Sequence, residues 1–162
     1  MEFQELTHNI IGAAMEVHKT LGNGFQEVIY QRALAIEMAD MNIEYSREHE
    51  MSIQYKGHDI GTRRVDFFVE DKIMVEIKAI INLEDVHLAQ AMNYVEAYNL
   101  EIGLLINFGA KSLQFKRVHN NKVLNHDSKG LKDYPDFRNA NQAHPTQKSG
   151  NQVNQKNQGS DK

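Results

Sequence analysis

The chain contains no cysteine. Disulfides, thiolate metal sites and cysteine nucleophiles are therefore excluded, and the absence suits a reducing compartment. No apolar run approaches the roughly 20 residues that a membrane-spanning helix needs. The opening residues, Met1-Glu2-Phe3-Gln4-Glu5, are acidic and lack the basic start of a secretory signal. These absences lead us to expect a soluble, cytoplasmic protein. Charge of neither sign dominates: 18 Lys and Arg stand against 22 Asp and Glu, a formal net charge of −4. Any nucleic-acid contact must then come from a local basic patch rather than from bulk charge. There is no internal repeat. No aromatic-rich surface of the kind that reads RNA stands out, which leaves DNA and RNA undecided.

A length of 162 residues suits one domain and a tail. We expect a domain over residues 1–124, long enough to bury an apolar interior. Residues 125–162 are expected to be a polar tail. From residue 139 onward Asn, Gln, Ser, Lys and Gly dominate, a composition that buries too little surface to offset ordering.

The most informative stretch is Arg64-Val65-Asp66-Phe67-Phe68-Val69-Glu70-Asp71-Lys72-Ile73-Met74-Val75-Glu76-Ile77-Lys78-Ala79. It reads as two strands joined by a turn at Glu70-Asp71-Lys72. Alternation along a strand puts Glu76 and Lys78 on one face, with Ile73, Val75 and Ile77 on the other. In a hairpin, Asp66 comes near Glu76. Two carboxylates and an ammonium then share one patch on an apolar sheet, and buried charge needs compensation. One reading is an ordinary ion pair, in which Lys78 neutralises an acid. The sharper alternative is a divalent cation held by Asp66 and Glu76, since magnesium takes a couple of carboxylates plus waters and phosphates.

Leu6, Ile10, Ala13, Ala14 and Val17 recur at helical spacing, so residues 3–20 are predicted to form an amphipathic helix. Leu21-Gly22-Asn23-Gly24 ends it. A second helix is predicted over 25–41, with Val28, Leu34, Ala35 and Met38 as core candidates. Glu27 and Tyr30 share one face of it. Glu27 also suits the first-turn dipole, and Tyr30 reads as a partly buried anchor. Strand character covers 43–55, 60–69 and 72–80, with a turn at Lys56-Gly57-His58-Asp59. Asn82 looks like the N-cap of a third helix reaching residue 99. Leu88, Met92, Val95 and Tyr98 form its apolar stripe, and His87, Gln90 and Tyr94 a polar one that either faces water or borders the carboxylates. Residues 102–109 suit a central strand, and 113–119 a final edge strand whose cations discourage aggregation.

This order of elements, with Asp66, Glu76-Ile77-Lys78 and Glu27, resembles the PD-(D/E)xK nuclease superfamily. Gly24-Phe25-Gln26-Glu27-Val28-Ile29-Tyr30 is similar to the signature of its GxxExxY group. Gln90-Ala91-Met92-Asn93-Tyr94 is similar to a QxxxY motif, and Gly103-Leu104-Leu105-Ile106-Asn107-Phe108-Gly109 to that group's central strand. The resemblance covers residues 3–119. Val65 stands where the superfamily name has proline. The resemblance implies an α/β, restriction-endonuclease-like core: a mixed sheet flanked by helices, in the order α-α-β-β-β-α-β-β.

It also implies a metal-dependent nuclease acting on DNA in repair, recombination or defence. Asp66 and Glu76 would ligate Mg2+ or Mn2+, and Glu27 would complete the acidic cluster. Lys78 would position the attacking water and offset charge, and Gln90 and Tyr94 would orient the phosphate or the lysine. Arg63, Arg64, Lys111, Lys116 and Arg117 are the residues we expect to touch DNA, giving salt-sensitive binding. Arg64 could equally neutralise Asp66. The competing functional readings are a fold that binds nucleic acid or a protein without cutting, and a hydrolase of another phosphorylated substrate.

Overall fold

The structure, a computed structural model, describes residues 2–121. The predicted tail over 125–162 and its boundary at 124 lie outside the described residues. Helices α1 (Glu2–Leu21) and α2 (Glu27–Asp40) come first, then strands β1 (Tyr45–Tyr55), β2 (His58–Val69) and β3 (Ile73–Lys78). Helix α3 (Asp85–Ala97) follows, then β4 (Ile102–Asn107) and β5 (Gln114–His119). This is the element order expected from the sequence. The five strands form one sheet in the order β1-β2-β3-β4-β5. Only β3 and β4 run parallel, joined by the α3 crossover; the other neighbours are antiparallel. No helix among the described residues is long and apolar enough to cross a membrane.

Each face of the sheet carries its own apolar layer. On one, Ile10, Ala14, Tyr30 and Leu34 of α1 and α2 pack against Phe67, Val75, Ile77, Leu104 and Ile106. On the other, Ala91 and Val95 of α3 pack against Val65, Met74, Leu105 and Val118. With both faces covered, β4 is buried throughout, which accounts for its apolar run over Ile102 to Ile106. Val95 sits directly over Gly103, where a Cβ would come within 2.7 Å of its Cγ2.

Three local expectations need correction. Val28 is 40% exposed. The buried stripe of α2 runs through Tyr30, Gln31, Leu34, Ala35 and Met38, and Val28 lies about 200° round the helix from Tyr30. Helix α3 begins at Asp85 with Glu84, not Asn82, as its cap residue. The Glu84 N–H donates to His87 Nδ1 at 3.1 Å, so His87 serves the helix start and does not border the carboxylates. Its fully buried positions are Ala91 and Val95, with Leu88, Met92 and Tyr98 only partly covered.

Candidate active site

The β2–β3 ladder is short. Its registered pairs are Phe67–Val75, Phe68–Met74 and Val69–Ile73. One residue beyond the ladder, Asp66 replaces a backbone partner with its side chain: the Ile77 N–H donates to Asp66 Oδ2 at 2.7 Å. The β1–β2 register also skips this point. It pairs Arg47 with Phe67 and His49 with Val65, and Glu48 between them has a left-handed φ of 51°. Val65 joins Phe68 on the α3 side, whereas Phe67 and Val69 face α1 and α2. Strict alternation therefore fails at Asp66, and the irregularity aims its carboxylate into the opening between the strands.

Glu76 follows the alternation predicted for β3 and shares a face with Lys78. It is only 4% exposed. Its Oε1 accepts from Arg63 Nη2 at 2.9 Å and from Lys78 Nζ at 3.4 Å. The ion-pair reading of Lys78 is thus realised. It leaves Glu76 Oε2 buried with no hydrogen-bond partner, and Arg63 Nε shares that condition. An unmatched buried carboxylate oxygen costs on the order of 1–3 kcal/mol or more, which a cation at that oxygen would relieve.

Asp66 Oδ1 accepts from Gln31 Nε2 at 3.1 Å, and Gln31 Oε1 accepts from Arg47 Nη2 at 2.8 Å. Burial pushes the Asp66 carboxyl up to about 6 from its ordinary 3.8. The Ile77 amide works against that rise, Glu76 and Glu27 add to it, and Lys78 opposes it. Glu27 therefore lies close enough to act on Asp66 through its field. It is itself exposed in the first turn of α2, and no group of three or more His, Cys, Asp or Glu is assembled to hold a metal among the described residues.

Tyr30 sets where that first turn lies. Its OH donates to the Gly22 carbonyl at 2.8 Å and accepts from the Phe25 N–H at 3.1 Å. Its ring stacks on Phe108 at 4.7 Å. This is the anchor role expected for it, with the side chain fully rather than partly buried.

Of the remaining expected residues, Tyr94 carries the Arg63 guanidinium on its ring, 5.0 Å from the centroid. Gln90 is half-buried one turn earlier on α3. Lys116 is exposed on β5, separated from Glu76 by Leu105 in one row across the sheet. Lys111 is exposed in the loop before β5. Two cations do not join the cluster. Arg64 bonds Glu50 at 2.8 Å rather than neutralising Asp66, and Arg117 Nε donates to Thr7 Oγ1 of α1 at 3.0 Å, on the opposite face.

Sequence reasoning missed Gln31 and Arg47. The available signal for Gln31 was a glutamine inside the apolar stripe of α2, between Tyr30 and Leu34. Nothing local marks Arg47.

The raised Asp66 value has a consequence for stability. Between about 4 and 6 the folded chain keeps a proton that the unfolded chain loses. The resulting stabilisation is fully present below about pH 4 and is lost as pH rises through 6, on the order of 2–3 kcal/mol. Urea unfolding in EDTA from pH 4 to 7.5 is expected to show this decline, and Asp66→Asn to flatten it. The same slope in both proteins would refute the assignment.

Comparison with known proteins gives a family. The family model described as the PD-(D/E)XK nuclease superfamily matches residues 4–118. Among solved structures, the chain is similar to one described as "Crystal structure of SSO0001", with 19% identity and a TM-score of 0.47. That likeness covers 57% of this chain and 49% of the other, so the match spans about half the length of the solved chain. No curated protein matches.

Proposed function

This chain belongs to the PD-(D/E)XK nuclease superfamily, and on that premise we propose that it is a divalent-metal-dependent nuclease that hydrolyses phosphodiester bonds in DNA. The observation that carries this reading is Glu76 Oε2, a buried carboxylate oxygen without a partner, on the strand whose Ile77 amide holds Asp66. Two carboxylates with spare lone pairs suit Mg2+ or Mn2+, which takes its other ligands from water and phosphate. Asp66 and Glu76 would be its ligands, and Glu27 would add negative charge from the N-terminus of α2. We read the Gly24 to Tyr30 segment as the GxxExxY signature of this subgroup: Tyr30 pins the loop, and the loop presents Glu27.

When bound, the metal supplies charge stabilisation and makes water a competent nucleophile at neutral pH. The protein's own side chains do the rest. Lys78 Nζ orients the attacking water and stabilises the negative charge that grows on the phosphoryl oxygens. Water oxygen bonds to phosphorus and gives up a proton to solvent, the ester bond to the leaving sugar oxygen breaks, and that oxygen takes a proton from solvent. Arg63, whose guanidinium lies over the Tyr94 ring, stands beside Glu76 to meet the DNA phosphate. Gln90 lines the approach from α3, and Lys111 and Lys116 extend the cationic side of the cleft. Arg64 and Arg117 are left outside this surface.

The test is incubation of the purified protein with linear, circular and single-stranded DNA in Mg2+, Mn2+ or EDTA, beside Glu76→Gln. Cutting is expected only with metal and only in the parent. Equal cutting by the variant would place the activity elsewhere. Tight, salt-sensitive binding without cutting would replace the reading with a silent binding module.

A further inference from the structure

Asp66 is held from two directions. The Ile77 N–H fixes Oδ2 at 2.7 Å, and Gln31 Nε2 fixes Oδ1 at 3.1 Å. Gln31 is itself only 5% exposed, so an amide this deep needs defined partners. An amide group can in general be turned over, exchanging its oxygen and nitrogen. Here Arg47 removes the choice. A guanidinium only donates, so the Gln31 oxygen must face Arg47 Nη2, at 2.8 Å, and the NH2 group must face Asp66. Turned the other way, the glutamine would set its oxygen against the carboxylate oxygen, acceptor against acceptor, and its NH2 against the guanidinium N–H, donor against donor.

Arg47 reaches this position because β1 pairs it with Phe67, the residue after Asp66. The head group stays toward the rim, so its charge is not fully desolvated. We infer that Gln31 and Arg47 are positioning residues for the proposed nuclease site: Arg47 acts on Asp66 only through Gln31, setting the amide so that it donates and thereby fixing the carboxylate's orientation for the cation. The functional part of this inference rests on the nuclease reading. The clamp itself rests only on the geometry.

Partners that orient a ligating carboxylate typically cost 10–100-fold in metal affinity when removed. Because the two residues act in series, their effects must not add. The experiment uses the full chain, with Gln31→Met, Arg47→Met and the double variant. Mn2+ affinity is measured by calorimetry, the Gln31 side-chain NH2 signals by 15N NMR, and the thermal midpoint on each protein. Arg47→Met guards against a Gln31 variant that fails to fold, since Arg47 is exposed.

The expected result is a loss of about tenfold in Mn2+ affinity in either single variant and no greater loss in the double. In the parent the two Gln31 NH2 protons are separate and slow to exchange. In Arg47→Met they exchange faster and their separation narrows. The inference is overturned if Arg47→Met leaves those signals unchanged, if Mn2+ affinity stays within twofold of the parent, or if the two losses add. A parent that neither binds Mn2+ nor cuts DNA, yet shows the NH2 signals responding to Arg47→Met, upholds the clamp and sinks the nuclease reading.

Discussion

In a Lys78→Met protein, metal-dependent cleavage of DNA is expected to fall by roughly 10²–10³-fold, the usual loss when one preorganised donor to a developing oxyanion is removed. Lys78 is well placed for that role. Its side chain is 16% exposed, and in a water-poor cleft a charge is weakly screened. The fold is expected to survive, because Glu76 keeps Arg63 on Oε1 at 2.9 Å and is not left as a lone buried anion. A thermal midpoint within a few degrees of the parent separates loss of chemistry from loss of structure. Lys78→Arg is expected to restore little. Its planar fork differs from a compact ammonium. Cleavage by Lys78→Met at the parent rate would remove Lys78 from the mechanism.

Gly109→Ala is expected to destabilise the protein by about 3 kcal/mol, through overpacking that no side-chain movement relieves. A Cβ at Gly109 would collide with the backbone N and O of Ile80 and lie 2.5 Å from the Ala79 carbonyl carbon. The close approach is built by Asn107, which is fully buried. Its Oδ1 accepts from the N–H groups of Ile80 and Gly109, and its Nδ2 donates to the Ile80 carbonyl and Gln114 Oε1. The Phe108 N–H donates to the Lys78 carbonyl at 2.8 Å. The segments leaving β3 and β4 are thus fastened together immediately beyond Lys78, so the same substitution is expected to displace Lys78, the lysine of the proposed site. Urea unfolding measures the stability loss. A parent-like midpoint would show that the backbone yields there at little cost.

Much of the fold was legible because its signals are local. The spacing of Leu6, Ile10, Ala14 and Val17 requires a helix with one apolar side, and α1 buries all four. The nearly continuous apolar run at 102–109 suits a strand covered on both faces, and β4 (Ile102–Asn107) is one. The faces of Glu76 and Lys78 followed from alternation alone. Val28 failed because α2 carries apolar residues on opposite sides, Ile36 being exposed as well, so spacing alone does not show which side is buried. Asn82 failed because Glu84 and His87, three residues apart, supplied a competing helix start.

Local spacing along the chain sets which elements form, their order, and that Glu76 and Lys78 leave β3 on one side. Packing in three dimensions brings Arg63 to Glu76, sends Arg64 and Arg117 elsewhere, and sets Gln31, backed by Arg47, against Asp66. Periodicity is a property of neighbours along the chain and reports the face on which a side chain leaves its own element. A hydrogen bond such as that from Gln31 to Asp66 joins residues 35 positions apart. It depends on how two elements are registered and where a ladder breaks, and neither is written in the spacing of either segment.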